Sequence, residues 1–223
     1  MMQTPELVLF DLDGTLVDSV PDLAYSIDLT LRELDMPLHG EEKIRTWVGR
    51  GADKLVKAAL TGEMDGEPDK TLFEKAFTLF SEIYIQNTSK RSQLYPGARE
   101  AMDHLKNRGC KLGCVTNKRE RFTRAVLESF GLLDDFDIVV SGDTLSRKKP
   151  EPDQLLYAAE QTGVPVKNCL MVGDSINDLK AARSADMPIL CVTYGYNHGR
   201  DIASANPDFL IDSLTELIEL FPA

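Results

Sequence analysis

Residues 7–15 read LVLFDLDGT. Leu7, Val8, Leu9 and Phe10 suit a buried strand, Asp11 and Asp13 follow two positions apart, and Gly14 forces a turn before Thr15. A buried strand running into Asp11 and Asp13 delivers two carboxylates to its C-terminal end, the edge at which open α/β sheets bind ligands. Two carboxyl groups this close rarely share one protonation state. One is expected ionised, as nucleophile or metal ligand, and the other proton-bearing, as a general acid. Gly14 and Thr15 turn the chain away and leave backbone N–H groups for an anion. An Asp-Gly pair alone is also a common turn. The assignment therefore rests on two further pieces that occur downstream, in order, each closing another apolar run.

Those runs define the rest of the chain. From Ala98 onward helix and strand alternate: a helix to Arg108-Gly109, a strand over 111–115, a helix over 120–130, a strand over 137–140, a helix over 153–162, a strand over 169–172, a helix over 176–185 and a strand over 189–192. A last strand over 209–211 and a helix over 214–220 close the series. With short links, this is the pattern of a parallel sheet covered on both faces, a Rossmann-like α/β core of six strands. Between the first strand and that series lies a block without strand character. Leu23, Ile27, Leu31 and Leu34 recur at helical spacing over 22–34, further helices are expected over 41–48 and 52–60, and a longer one over 68–86 has Leu72, Ala76, Phe80, Ile83 and Tyr84 on one face. The expected organisation is a core of residues 1–17 and 88–223 with an all-helical cap domain inserted at 18–87. The two connections, 16–20 and 87–92, would be its hinges.

DLDGTLVDS from Asp11, VTN at Val115–Asn117, KP at Lys149-Pro150 and GDSINDL from Gly173, in that order, resemble the motifs of the haloacid dehalogenase superfamily of phosphatases. The likeness spans nearly the whole chain. It implies that Asp11 attacks a phosphate monoester and forms an aspartyl-phosphate that water then hydrolyses, while Asp13 protonates the leaving alcohol and later takes a proton from the water. Thr116 and Asn117 would hold the phosphoryl group, and Lys149 would sit between phosphate and nucleophile. The metal would be held by a carboxylate oxygen of Asp11, the backbone carbonyl of Asp13 and a carboxylate of Asp174. Oxygen ligands without nearby Cys or His suit Mg²⁺. Asp178 is either a further ligand, a partner that orients Lys149, or an ordinary acidic residue in a helix's first turn. The dehalogenase and phosphonate-cleaving members lack an aspartate at the position of Asp13, so both are disfavoured.

Substrate choice falls to the cap loop, Val48 to Leu55, which resembles that of the phosphoglycolate phosphatases. A two-carbon substrate such as 2-phosphoglycolate offers a carboxylate for recognition, and Arg50 and Lys54 are the candidate partners. The alternatives are a β-phosphoglucomutase-like phosphosugar mutase, whose serine-arginine-two residues-serine pattern is absent from Arg50 to Leu55, a broad sugar-phosphate or nucleotide phosphatase or pyrophosphatase, and a non-catalytic phosphate-binding protein. The loop Tyr194 to Gly199 either rims the site or is a plain glycine loop.

Composition agrees with a folded enzyme. Hydrophobic residues make up 43% and charged residues 27% of 223 positions, ordinary globular values. The formal charge of −11 disfavours nucleic acid and anionic membrane as partners, so a phosphate ester must be drawn in by a bound cation and placed lysines or arginines. Cys110, Cys114, Cys169 and Cys191 fall in or beside apolar runs and are expected reduced and buried. The stretch MMQTPELV has no basic start or long apolar run, and a cytoplasmic protein, monomer or homodimer, is the expectation.

Overall fold

The computed structural model describes residues 4–222. Its centre is the strand β1, Leu7–Phe10, all four side chains fully buried. Around it a six-stranded, wholly parallel sheet is ordered β5-β4-β1-β6-β7-β8, with β4 at Lys111–Val115, β5 at Ile138–Val140, β6 at Cys169–Gly173, β7 at Ile189–Val192 and β8 at Phe209–Ile211. An interior strand covered on both faces has no solvated side, and a continuous apolar run is what such a strand needs. Its residues still alternate. Val8 and Phe10 face a layer containing α5 (Ala98–Asn107), α6 (Glu120–Ser129) and α9 (Glu216–Leu220), while Leu7 and Leu9 face α7 (Asp153–Thr162) and α8 (Ile176–Ser184). Burying each such Leu, Val or Phe contributes roughly 1.5–3 kcal/mol, so the two layers lock the sheet.

Register decides what happens at the sheet's edge. Phe10 lies level with Cys114 of β4 and Val172 of β6. Strand order reverses at β1, the place where parallel sheets of this kind open a crevice. Asp11, Thr116 and Asp174 therefore leave the sheet side by side, although they are far apart in the chain.

The segment after β1 is helical as expected, with shifted ends: α1 at Val20–Glu33, α2 at Gly40–Arg45, α3 at Ala52–Thr61 and α4 at Lys70–Ile85. Pro21 occupies the first turn of α1, where its missing N–H costs nothing, so the helix begins earlier than its apolar spacing indicates. Asp69 caps α4 through a bond from Leu72 N. These helices share a third core of their own, built on Leu23, Ile27, Leu31, Trp47, Val56 and Phe80, which Phe122 and Tyr196 join from the α/β layers.

One expectation is overturned: the connections are not strand-free. Val17–Asp18 (β2) and Gln93–Leu94 (β3) pair antiparallel, so the outgoing and returning chains are stitched together. Two residues per strand leave no alternation to read, and the pairing exists only once the helical block brings the ends together. Beside it Asp22, fully buried, accepts from Arg91 N (2.9 Å), Ser92 N (2.8 Å) and Ser92 Oγ (2.7 Å), tying α1 to the returning connection.

Candidate active site

Asp11 is one residue past β1, and its backbone N–H donates to Val172 O at 2.9 Å. Its carboxylate Oδ1 accepts from Leu12 N at 2.7 Å and pairs with Lys149 Nζ at 2.9 Å. Two fixed donors on one oxygen aim the carboxylate. Lys149 is itself closely held: its ammonium also forms an ion pair with Asp178 Oδ1 at 2.7 Å and donates to Val115 O at 2.7 Å. Gln154, fully buried, accepts from Lys149 N at 3.1 Å and donates to Thr116 O at 3.1 Å and Ser141 O at 2.9 Å, fixing the Lys149 loop against the end of β4.

Asp178 has two tasks. Its Oδ2 accepts from Ser175 N (3.1 Å) and Ser175 Oγ (2.6 Å), closing a capping box on α8. Its Oδ1 holds Lys149. Helix cap and lysine-orienting partner, separate readings from the chain alone, are both present. Asp174 follows β6 and accepts from Thr15 Oγ1 at 3.3 Å and Tyr196 N at 2.6 Å. The Tyr194–Gly199 loop thus touches the site through the backbone of Tyr196, whose hydroxyl accepts from Ser19 N at 2.8 Å and donates to Asp18 at 2.8 Å. Gly14 and Gly195 are required by this packing. Gly14 has a φ of +92° and a side chain there would meet Asp174 Oδ2 at 2.5 Å, while one at Gly195 would overlap Asp174 Cβ.

The donor atoms of Asp11, Asp174 and Asp178 lie within 4.8 Å of one another, all three residues buried. Three carboxylates against the single ammonium of Lys149 leave a net negative, oxygen-only cluster. Burial pushes Asp11 up to about 7 despite the pull of Lys149, with Asp178 and Asp13 adding to the rise. Burial, then the charges of Asp178 and Asp11, raises Asp174 well above the carboxylate range. Such a cluster fits a hard divalent cation, which would supply the missing positive charge.

Asp13 is elsewhere engaged. Its side chain turns away from the cluster and accepts from Ser19 Oγ at 2.5 Å and from Lys118 Nζ at 2.8 and 2.9 Å. Burial, the largest single influence, lowers Lys118, but the charge of Asp13 together with Tyr84 and the hydrogen bonds to both outweighs it and holds the ammonium above its ordinary value. Lys118 is absent from the residues singled out in the sequence, although it directly follows Val115-Thr116-Asn117. Gln154 was likewise beyond sequence reasoning, because only folding brings it to the sheet edge, whereas Ser19 closes the DLDGTLVDS motif and Tyr196 lies in the loop expected either to rim the site or to be a plain glycine loop. Thr116 Oγ1 accepts from Lys118 N at 3.2 Å, and Asn117 Nδ2 donates to Lys149 O at 2.9 Å and to Gly49 O at 3.0 Å, joining the core loop to the helical block.

A cleft with about 430 Å³ of atom-free space opens between the sheet edge and the helices. Asp11, Asp13, Thr116, Asn117 and Lys118 form its floor, while Leu23, Val48, Leu55, Tyr84 and Phe122 make an apolar roof. Arg50 is not among the lining residues and pairs with Asp65 at 2.7 Å, and Lys54 meets Glu67 at 3.4 Å. Arg147 is exposed and bound to Asp153 at 2.8 Å, whereas Lys148 is half-buried beneath Gly51. His39, His104 and His198 each hydrogen-bond a backbone carbonyl, of Ala59, Phe221 and Thr46 respectively. The four cysteines are buried and free.

The profile of the haloacid dehalogenase-like hydrolases matches residues 5–186, which include every motif residue of this site. The chain belongs to the haloacid dehalogenase-like hydrolases. Within that family it is 52% identical, over 99% of its length and 98% of the relative's, to a phosphoglycolate phosphatase of Nitrosococcus oceani. It is 46% identical to the phosphoglycolate phosphatase of Nitrosospira multiformis over 96% of this chain and 94% of that one. A crystal structure of a predicted phosphoglycolate phosphatase from Haemophilus somnus superposes with a TM-score of 0.93 at 35% identity, covering 99% of both chains. Among the described residues, this hydrolase has no helix long and apolar enough to cross a membrane.

Proposed function

We propose that the chain hydrolyses 2-phosphoglycolate to glycolate and inorganic phosphate, using Mg²⁺. The observation that carries the chemistry is the pair at the strand end: a fixed, buried carboxylate, Asp11, held by an ammonium that touches nothing but carboxylates and a carbonyl. The near full-length identity to phosphoglycolate phosphatases, together with a small, apolar-roofed cleft suited to a short leaving group, supports the substrate.

Asp11 attacks phosphorus in line with the ester oxygen. The phosphorus–oxygen bond to glycolate breaks, and Asp13 gives its proton to that oxygen. Water then attacks the phosphoryl group on Asp11, returns a proton to Asp13 and restores the Asp11 carboxylate. Lys149 offsets repulsion between Asp11 and the incoming phosphate, and the Thr116 hydroxyl faces the phosphoryl oxygens. Positioned proton transfer of this kind typically contributes about 10²- to 10⁴-fold. Asp11, Asp174 and Asp178 would hold the cation, with the Asp13 carbonyl beside them; when bound it neutralises developing charge on the phosphoryl oxygens.

The helices over 18–87 act as a cap that closes on the substrate and excludes water, hinging at the β2–β3 pair. Phosphate release from 2-phosphoglycolate, hexose phosphates, nucleotides and pyrophosphate, measured with Mg²⁺ and with EDTA, tests this reading. A metal-dependent preference for 2-phosphoglycolate is expected. Preference for another ester would retain the mechanism and discard the substrate.

A further inference from the structure

Lys118 is buried, with its side chain only 5% exposed, yet it lies outside the cation cluster and beyond the pair formed by Asp11 and Lys149. An ammonium has three donors. Two go to Asp13 Oδ1 and Oδ2, at 2.8 and 2.9 Å, and the third faces the Tyr84 hydroxyl. Next to it, Nζ lies 5.0 Å from the ring centroid of Tyr84. The Tyr84 hydroxyl is also buried and without a partner. Leaving a buried hydroxyl proton without an acceptor is costly, and an ammonium–hydroxyl pair with a donor to spare is unusual in a packed interior. Both residues line the same cleft, together with the apolar side chains of Leu23, Leu55 and Phe122.

Their position fixes what they could receive. Asp13, on the reading above, works on the ester oxygen, and in a two-carbon phosphate ester the far functional group stands two bonds from that oxygen. Lys118 touches Asp13 itself. A group reaching it must be small, anionic and able to accept from two donors at once, which describes a carboxylate. Arg50, the cation expected from the chain to do this, is committed to Asp65 outside the cleft.

We infer that Lys118 and the Tyr84 hydroxyl form the subsite that recognises the substrate's carboxylate, and that they, rather than Arg50, set the preference for an acidic two-carbon ester. This rests on the proposed 2-phosphoglycolate phosphatase activity. It adds a role for the cap: Tyr84 sits on α4, so the subsite is complete only when the helical block is seated on the core. It also places the carboxylate in competition with Asp13 for one ammonium, so that occupancy of the subsite loosens the grip on the acid–base residue.

The test compares kcat/KM for 2-phosphoglycolate with that for ethyl phosphate, which has the same carbon count and no carboxylate. In the natural protein the ratio should strongly favour 2-phosphoglycolate. Lys118→Gln lowers turnover of both esters, since Lys118 also touches Asp13, but should cut the ratio by about 10- to 100-fold, the worth of one charge-assisted hydrogen bond. Lys118→Arg should recover much of the ratio. Tyr84→Phe removes one oxygen from a packed ring and keeps the fold, so it guards against misfolding of the lysine variant; it should lower the ratio a few-fold.

Equal losses on both esters in Lys118→Gln with an unchanged ratio in Tyr84→Phe would overturn the inference and leave Lys118 as support for Asp13. A ratio that collapses in Arg50→Gln and survives in Lys118→Gln would overturn it as well. Absence of any preference in the natural protein is a different failure, which removes the 2-phosphoglycolate reading and the subsite with it.

Discussion

At the residue scale, one buried carboxylate dominates. Asp11→Asn is isosteric and removes the carboxylate proposed as nucleophile, so phosphate release should fall by roughly 10⁴-fold or more while the fold is kept. A variant that still turns over at a substantial fraction of the natural rate would assign nucleophilic attack to another group. The same residue gives the metal-free protein a pH dependence. Asp11 ionises near 3.8 in an unfolded chain and near 7 in the fold, chiefly through burial. Between those values the folded state holds the extra proton. The stabilising contribution is complete below 3.8 and is lost as pH rises through about 7, where a charge must be carried in the buried cluster. A divalent cation relieves that charge. The gain in Tm on adding Mg²⁺ to EDTA-treated protein should therefore be larger at about pH 8 than at about pH 5. Equal gains at both would mean that ionisation of the cluster is not what the cation offsets.

At the scale of elements, strand ends and connections set the geometry. Gly195 follows β7 and leaves no room for a side chain beside Asp174. Gly195→Ala should displace the Asp174 carboxylate and raise the Mg²⁺ concentration needed for half-maximal activity, while far-UV circular dichroism stays unchanged. An unaltered metal requirement would show that the loop yields instead. Asp22, in the first turn of α1, is buried and satisfies four donors of Arg91 and Ser92. Asp22→Ala strands those donors and should cost about 3 kcal/mol, read as a lower urea midpoint with an unchanged slope. A shift worth less than about 1 kcal/mol would mean that β2 and β3 alone hold the connections together.

At the scale of the whole molecule, the helices and the α/β core meet over the cleft. Phe122 of α6 packs edge-on against Tyr84 of α4, with ring centroids 5.1 Å apart. Asn117 and Asn177 both donate to Gly49 O, His198 meets Thr46 O at 3.0 Å, and Arg119 pairs with Asp53 at 2.6 Å. This ion pair is partly exposed, and such pairs contribute about 0.2–1 kcal/mol. Asp53→Asn should accordingly leave Tm almost unmoved and raise KM by roughly two- to five-fold, through easier opening of the cap. A large fall in Tm with unchanged KM would identify the pair as structural and the cap as fixed.

Much of this architecture was legible in the chain. LVLF followed by Asp11 and Asp13 places two carboxylates at a strand end, and regular alternation from Ala98 onward specifies a parallel sheet, because apolar runs and helical spacing are local properties of sequence. The helical block was visible for the same reason. The β2–β3 stitch was not, since two-residue strands have no periodicity. Lys118, Gln154 and the role of Tyr84 were not either. A lone lysine or tyrosine in a chain looks the same whether it meets solvent or a buried aspartate, and its partners here lie 34 to 105 positions away in sequence or on another element. Arg50 shows the converse: its place in a cap loop pointed into the cleft, and the nearby Asp65 took it outward. Local pattern determined which elements form and which carboxylates lead the site. Long-range packing alone decided where the remaining charges go, because a buried charge is placed by whichever opposite charge the fold brings within reach.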